Sequence, residues 1–121
     1  MAERLLFPCS HGADDPERAT IPFIAAATAA ASGIDAAVIC TIEAVWLGLP
    51  GRAEEVESEG QPAVADLLDQ FTSAGGEVWL CSACTTKRGI TGDQELVPGA
   101  RIVGAATIVE ALTTGRAITL A

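Results

Sequence analysis

The chemically versatile side chains of this chain are its four cysteines and one histidine, and their placement is uneven. Cys81-Ser82-Ala83-Cys84 puts two thiols within one helical turn, directly after the strand-like run Glu77-Val78-Trp79-Leu80 and directly before residues with a helix or turn pattern. At such a junction the unpaired backbone N–H groups and the positive end of the helix favour a thiolate over a thiol, which makes a cysteine nucleophilic near neutral pH. Lys87 and Arg88 follow; their charge either activates the sulfur or faces water as ordinary helix-end charge. Cys40 lies in an apolar run and reads as a small core residue, while Cys9 closes an earlier run and either joins the core or supports the site from the rim. His11 reads as a loop residue or rim hydrogen-bonder beside it.

Three chemistries compete for the Cys81/Cys84 pair. A zinc site needs four ligands, and Cys9, His11 and Cys40 supply no second metal-ligand spacing, so no metal is expected. A dithiol-disulfide redox role uses the same two sulfurs, although Ser82-Ala83 provides none of the aromatic or proline neighbours of a thioredoxin-type motif. In a persulfide carrier, Cys81 takes a sulfane sulfur from a donor and passes it to an acceptor thiol, with Cys84 resolving the persulfide or assisting its release. A non-catalytic assembly or small-ligand module, whose cysteines merely pack, also stays open. No organic cofactor is expected: Gly12 is followed by Asp14 and Asp15 rather than a phosphate cradle, and no glycine-rich nucleotide fingerprint occurs. His11 has no nucleophile-elbow serine to serve.

The elements that must position these residues follow from periodicity and punctuation. Arg4 to Cys9 reads as a strand and Ser10 to Asp15 as a turn. Asp15-Pro16 is an N-cap followed by a favoured first helical residue, and the apolar stretch Ala19 to Ala31 runs on until Gly33. Pro22 lies inside it, so the helix starts either at Pro16 or nearer Ile21. Ala36 to Ile42 is a continuous apolar run, the pattern of a strand covered on both faces. Gly48 to Gly60, with Glu54, Glu55, Glu57 and Glu59, reads as a solvated face or mobile loop rather than an acidic docking site. After Pro62 an amphipathic helix puts Val64, Leu67, Leu68 and Phe71 on one side and Asp66, Asp69 and Gln70 on the other, until Gly75-Gly76. Glu77 to Cys81 is the third strand, and Ala83 to Arg88 a short helix or turn before Gly89. A strand at Arg101 to Val103, a helix from Ala106 to Thr114 and a last strand from Ala117 to Leu120 complete the chain. The alternation predicts one α/β domain over residues 1–121, with a parallel sheet between helical layers.

Composition narrows the partners. Hydrophobic residues make up 50% of the chain but aromatics only 4%, so the core must be built mainly from Ala, Val, Ile and Leu. Sixteen acidic against seven basic residues give a net charge of −9, which repels nucleic-acid backbones and anionic membrane surfaces. The uncharged run Ala19 to Ile34 is too short to span a bilayer. No secretory signal pattern is visible, so a cytoplasmic location with reduced thiols is expected.

Several segments carry a resemblance. Asp15-Pro16-Glu17-Arg18-Ala19 opening an Ala-rich helix, Gly33 before the second strand, Val78 to Ile90 with Cys81 and the Arg88-Gly89-Ile90 step, and Gly99 to Ala106 together resemble the DsrE/DsrF-like sulfur-relay proteins of the DsrEFH/TusBCD superfamily. The resemblance implies a three-layer α/β/α fold with a five-stranded parallel sheet. It also implies homo-oligomers such as trimers or hexamers, and partner proteins that donate and accept sulfur. In sulfur-transferring members the cysteine at the position of Cys81 carries the persulfide, and many relatives have a second cysteine at the position of Cys84. Where many have a Gly-Val step after the second strand, this chain reads Glu43-Ala44-Val45.

Overall fold

Leu5–Cys9 (β1), Ala36–Cys40 (β2) and Glu77–Cys81 (β3) form the centre of the sheet in the computed structural model, which describes residues 3–121. Ala100–Val103 (β4) and Arg116–Ala117 (β5) are its edges, in the order β4-β3-β2-β1-β5, and every pairing is parallel. Parallel neighbours need a crossover. Pro16–Ala31 (α1), Val64–Ser73 (α2), the short helix Ser82–Lys87 (α3) and Ala105–Thr114 (α4) belong to those crossovers.

The two faces of the sheet are covered unequally. Phe23 and Ala26 of α1 and Leu67, Leu68 and Phe71 of α2 enclose Phe7, Val38, Val78 and Leu80 in the main core, where Phe23 and Phe71 meet edge to face at 6.5 Å. On the other face Leu6, Ala37, Ile39, Trp79 and Val103 are covered by Ile108 and Ala111 of α4. The fold is therefore a three-layer α/β/α arrangement with one thick and one thin helical layer. Alternate β2 residues feed opposite cores, which explains why its sequence is apolar at every position.

Local chemistry accounts for the element ends. The Asp15 carboxylate accepts from the Arg18 N–H at 3.2 Å and Pro16 opens the helix, so α1 begins at the earlier of the two expected starts. Pro22 removes one helical hydrogen bond without breaking α1, because Phe23, Ala26, Ala27 and Ala30 are held in the interior. The glutamate-rich stretch is solvated: Glu54, Glu55, Glu57 and Glu59 are exposed, and buried Ala53 and Val56 anchor it. A 3-10 helix, Ala53–Glu55, interrupts the loop there, and another, Ile42–Gly48, leads into it from β2.

The last strand differs from expectation, ending at Ala117 rather than running from Ala117 to Leu120. Pro8 explains the difference. Arg116 and Ile118 donate to the carbonyls of Arg4 and Leu6, so the even-numbered residues of β1 face β5, while Leu5 donates to Asp35 on the β2 side. The next rung would need an N–H from residue 8 toward Ile118, and proline has none.

Phe71 is fully buried at the centre of the thick layer. Phe71→Ala should lower the free energy of unfolding by about 3–5 kcal/mol, seen as a lower denaturation midpoint at unchanged m-value.

Candidate functional site

Register decides where each cysteine goes. Cys9 is paired with Cys40, and Cys40 with Leu80, so these three side chains point to the same face, into the thick core. Cys81 lies one residue further along β3 and points to the opposite face, beside Val103 of β4. Cys9 and Cys40 are consequently buried, whereas Cys81 and Cys84 are partly exposed, and all four thiols are free. Burial pushes the Cys9 thiol up to about 11, with the backbone of His11 opposing and the Asp14 carboxylate adding to the rise. Burial, and then the neighbouring Cys9, pushes Cys40 well above the ordinary thiol range.

The environment of Cys81 has the opposite sign. The chain turns from β3 into α3 at this residue, so the first N–H groups of the helix have no partner within it. Burial of the Cys81 sulfur raises its pKa. The Cys84 N–H, the Cys84 side chain and the Ala83 N–H outweigh that effect and hold it below the ordinary thiol value. None of these groups forms a closed side-chain cap with Cys81, so their influence is that of oriented dipoles.

A helix of six residues cannot hold its own shape in water, and α3 is held from outside. Its C-terminus is a Schellman turn: Ile90 donates to the Thr85 carbonyl at 2.9 Å and Gly89 to the Thr86 carbonyl at 3.2 Å. That turn needs a left-handed residue, and Gly89 supplies it with φ at 73°. Thr85 and Ile90 are buried beneath it. The Arg88-Gly89-Ile90 step is thus the device that ends α3 and fastens it to the core.

The remaining candidates fall into two groups. Arg88 joins the site's framework: its Nε donates to Glu43 Oε2 at 2.8 Å and a terminal nitrogen donates to the Cys84 carbonyl at 3.2 Å. Lys87 is exposed at the end of α3, where its charge complements the helix dipole. Neither cation contributes to the shift of Cys81, so the sulfur draws on N–H dipoles rather than on these charges. Cys9 and His11 lie at the end of β1, two strands and about 10 Å across the sheet from the end of β3. There Cys9 donates to the carbonyls of His11 and Ala19, and His11 Nδ1 meets Asp14 Oδ2 at 2.9 Å. Burial would raise the Asp14 carboxyl, but the Gly12 N–H and His11 hold it below its ordinary value. Among the described residues no group of three or more potential metal ligands comes together. Glu43 is the site residue that sequence reasoning did not assign. Its partner lies 45 positions away, a distance at which no periodicity signals contact.

The fold and this site define a three-layer α/β protein with a partly exposed thiol pair at the carboxyl end of its third strand. The chain belongs to the DsrE/DsrF-like family, whose profile matches residues 3–120. Among solved structures it is similar to the ychN protein from E. coli, with a TM-score of 0.79 and 20% identity over 98% of this chain and 99% of that one. It is also similar to MTH1491 from Methanobacterium thermoautotrophicum, a protein of unknown function, with a TM-score of 0.73 and 20% identity over the same shares of the two chains. No curated protein sequence matches.

Because the thiolate is the reacting form, the shifts set an order of reaction with iodoacetamide. In the native protein Cys81 should be alkylated with a midpoint below that of an unperturbed thiol. Cys9, whose thiol lies at about 11, and Cys40 should stay unmodified until denaturant is added. Peptide mass mapping across a pH series checks this, and a Cys81 midpoint at or above the free-thiol value contradicts it.

Proposed function

We propose that the protein is a sulfur carrier in which Cys81 holds a sulfane sulfur as a persulfide. The observation that carries this reading is the partly exposed Cys81 sulfur, set where the N–H groups of Ala83 and Cys84 favour its thiolate. Membership of a family associated with sulfur relay supports it. In the loading step the Cys81 thiolate attacks the outer sulfur of a donor persulfide. An S–S bond forms to Cys81, the donor's S–S bond breaks, and the donor cysteine leaves as a thiolate. In the unloading step an acceptor thiolate attacks that outer sulfur and Cys81 leaves as a thiolate, a departure favoured by its lowered pKa. Cys84, whose side chain faces Cys81, assists release by hydrogen bonding to the departing sulfur. Sulfur-donor and sulfur-acceptor proteins are the partners of this cycle, and the compartment is the cytoplasm.

The same reading includes a homo-oligomer, a trimer or hexamer. Ile108 and Ala111 of α4 face the sheet, while Val109 is 60% and Leu112 46% exposed, so the helix is apolar on its inner and outer sides. Ile118 and Leu120 extend the exposed apolar surface along the same chain segment. A helix with two apolar sides is suited to burial on both. A second copy of the chain supplies the missing cover on the thin side of the sheet.

Incubation with a persulfide donor should add one sulfur atom to the protein by mass spectrometry, and Cys81→Ser should abolish the addition while Cys84→Ser retains it. Equal loading without Cys81 overturns the assignment. A Cys81–Cys84 disulfide as the sole product would instead support a dithiol redox role. In light scattering, the native chain should give a multiple of the monomer mass and Leu112→Glu should shift it toward the monomer; a monomeric native chain removes the oligomer from the reading.

A further inference from the structure

We propose that Glu43 is a positioning residue for Cys81: by gripping Arg88 it holds α3 against the 3-10 helix that follows β2, and so keeps the Ala83 and Cys84 N–H groups aimed at the sulfur. The proposal deepens the carrier reading, since it concerns how the same sulfur is kept reactive.

One guanidinium links two segments that follow different strands, in addition to the core packing they share. Arg88 Nε meets Glu43 at 2.8 Å, and the same side chain reaches back to the Cys84 carbonyl at 3.2 Å, within the turn whose N–H groups face Cys81. The Arg88 side chain is only 14% exposed. The arginines of the other described ion pairs are all at least 32% exposed. Partial withdrawal from water and a second hydrogen bond distinguish this contact from an ordinary surface pair, which contributes little.

The backbone around Glu43 is shaped for the contact. Ile42 has φ at 52°, the sole non-glycine positive value among the described residues, in a β-branched residue that adopts this region rarely. Such a conformation persists when its surroundings over-determine it. Here the turn lies two residues beyond the end of β2 and redirects the chain so that Glu43 reaches Arg88. The loop after β1 closes on the same point: a Cβ on Gly12 would stand 2.9 Å from the Glu43 carbonyl oxygen. Strain and close backbone approach therefore converge on the residue that holds α3.

The charged and titratable groups around the sulfur set the sign of the test. On α3 the near group is Cys84, with Lys87 and Arg88 at the helix end. Glu43 faces Arg88 from the 3-10 helix, and on β4 the register partner of Cys81 is the uncharged Val103. If Glu43 acted on Cys81 only through its charge, Glu43→Gln would remove a carboxylate, free a cation and lower the thiol pKa. If it acts by position, the N–H groups lose their aim and the pKa rises. Arg88→Lys keeps the charge but loses the geometry of both hydrogen bonds, so charge alone predicts no change and positioning again predicts a rise.

The experiment measures the pH dependence of iodoacetamide reaction at Cys81, with fragmentation of the modified peptide separating it from Cys84. In both variants the midpoint should move up by about half a pH unit or more, with the rate at neutral pH falling about threefold. A midpoint that falls in Glu43→Gln, or stays in place in either folded variant, overturns the proposal. Protection of Cys9 and Cys40 in the same samples reports that the variant is folded; should Glu43→Gln fail that check, Arg88→Lys decides by the same criterion. No sulfur donor enters this measurement. A variant series that titrates as expected on a protein that never accepts sulfur would retain the positioning role and discard the carrier.

Discussion

Cys40 and Leu80 sit side by side on neighbouring strands, and Cys81 is the residue after Leu80. Successive strand residues face opposite ways, so this offset of one separates the cysteines of β1 and β2 from the cysteine of β3. Had β3 ended one residue earlier in the same register, its terminal sulfur would stand beside Cys40 in the thick core and be pushed toward the protonated form by the same burial. Instead it stands at the sheet's rim, where the chain must turn into a helix and the helix must present unpaired N–H groups. Hydrophobic register thus sets the ionisation of the sulfur before any specific contact does.

The unequal layers of the sheet follow from the same alternation. Residues facing α1 and α2 meet two helices and pack to full burial. Residues facing the other way meet α4 over part of the sheet, and the gap around Trp79 is filled by long polar side chains. Arg4 and Arg101 both lie 5.2 Å from the Trp79 ring, and its indole N–H donates to Glu77 at 3.0 Å. Arginine stems can cover an aromatic face while their charged ends reach Asp35 and Glu77, so they complete the cover that α4 gives the tryptophan only in part. A chain poor in aromatics spends one of its two tryptophans here, at the middle of the strand that carries Cys81.

Much of this was legible in the residues. The first three strands and α1 are bounded by apolar runs and by Asp15, Gly33 and Gly75-Gly76, so local chemistry and tertiary structure agree on their course, except that the second strand ends at Cys40 rather than Ile42, where a 3-10 helix begins. The last strand was misplaced because its limit is written in another segment: Pro8 withholds a donor from a partner more than a hundred residues away. The division among the cysteines was legible in part: Cys40 reads as a core residue from its apolar run, and it is buried, whereas Cys9 reads as core or rim, and the register between strands shows that it faces inward. Glu43 was visible as a departure from the related pattern after the second strand, but its role needs the contact with Arg88, which no local rule encodes. Lys87 and Arg88 follow the thiol pair in the chain, yet helix geometry turns one toward water and the other toward Glu43.

The use of dipoles rather than a cation has a chemical consequence for the exchange proposed at Cys81. A full positive charge beside Cys81 would depress its pKa further and make it a better leaving group, but it would also weaken it as a nucleophile, since thiolate nucleophilicity falls with basicity. Partial burial pulls the other way and limits the shift. The best attacking thiol has a pKa close to the ambient pH, and a pKa below the ordinary thiol value moves Cys81 in that direction. Such a balance depends on the direction of N–H groups and not merely on their presence, because a dipole loses its effect when it tilts while a charge does not. That dependence is why a six-residue helix here is fastened by a Schellman turn, by buried Thr85 and Ile90, and by an arginine shared with a neighbouring segment.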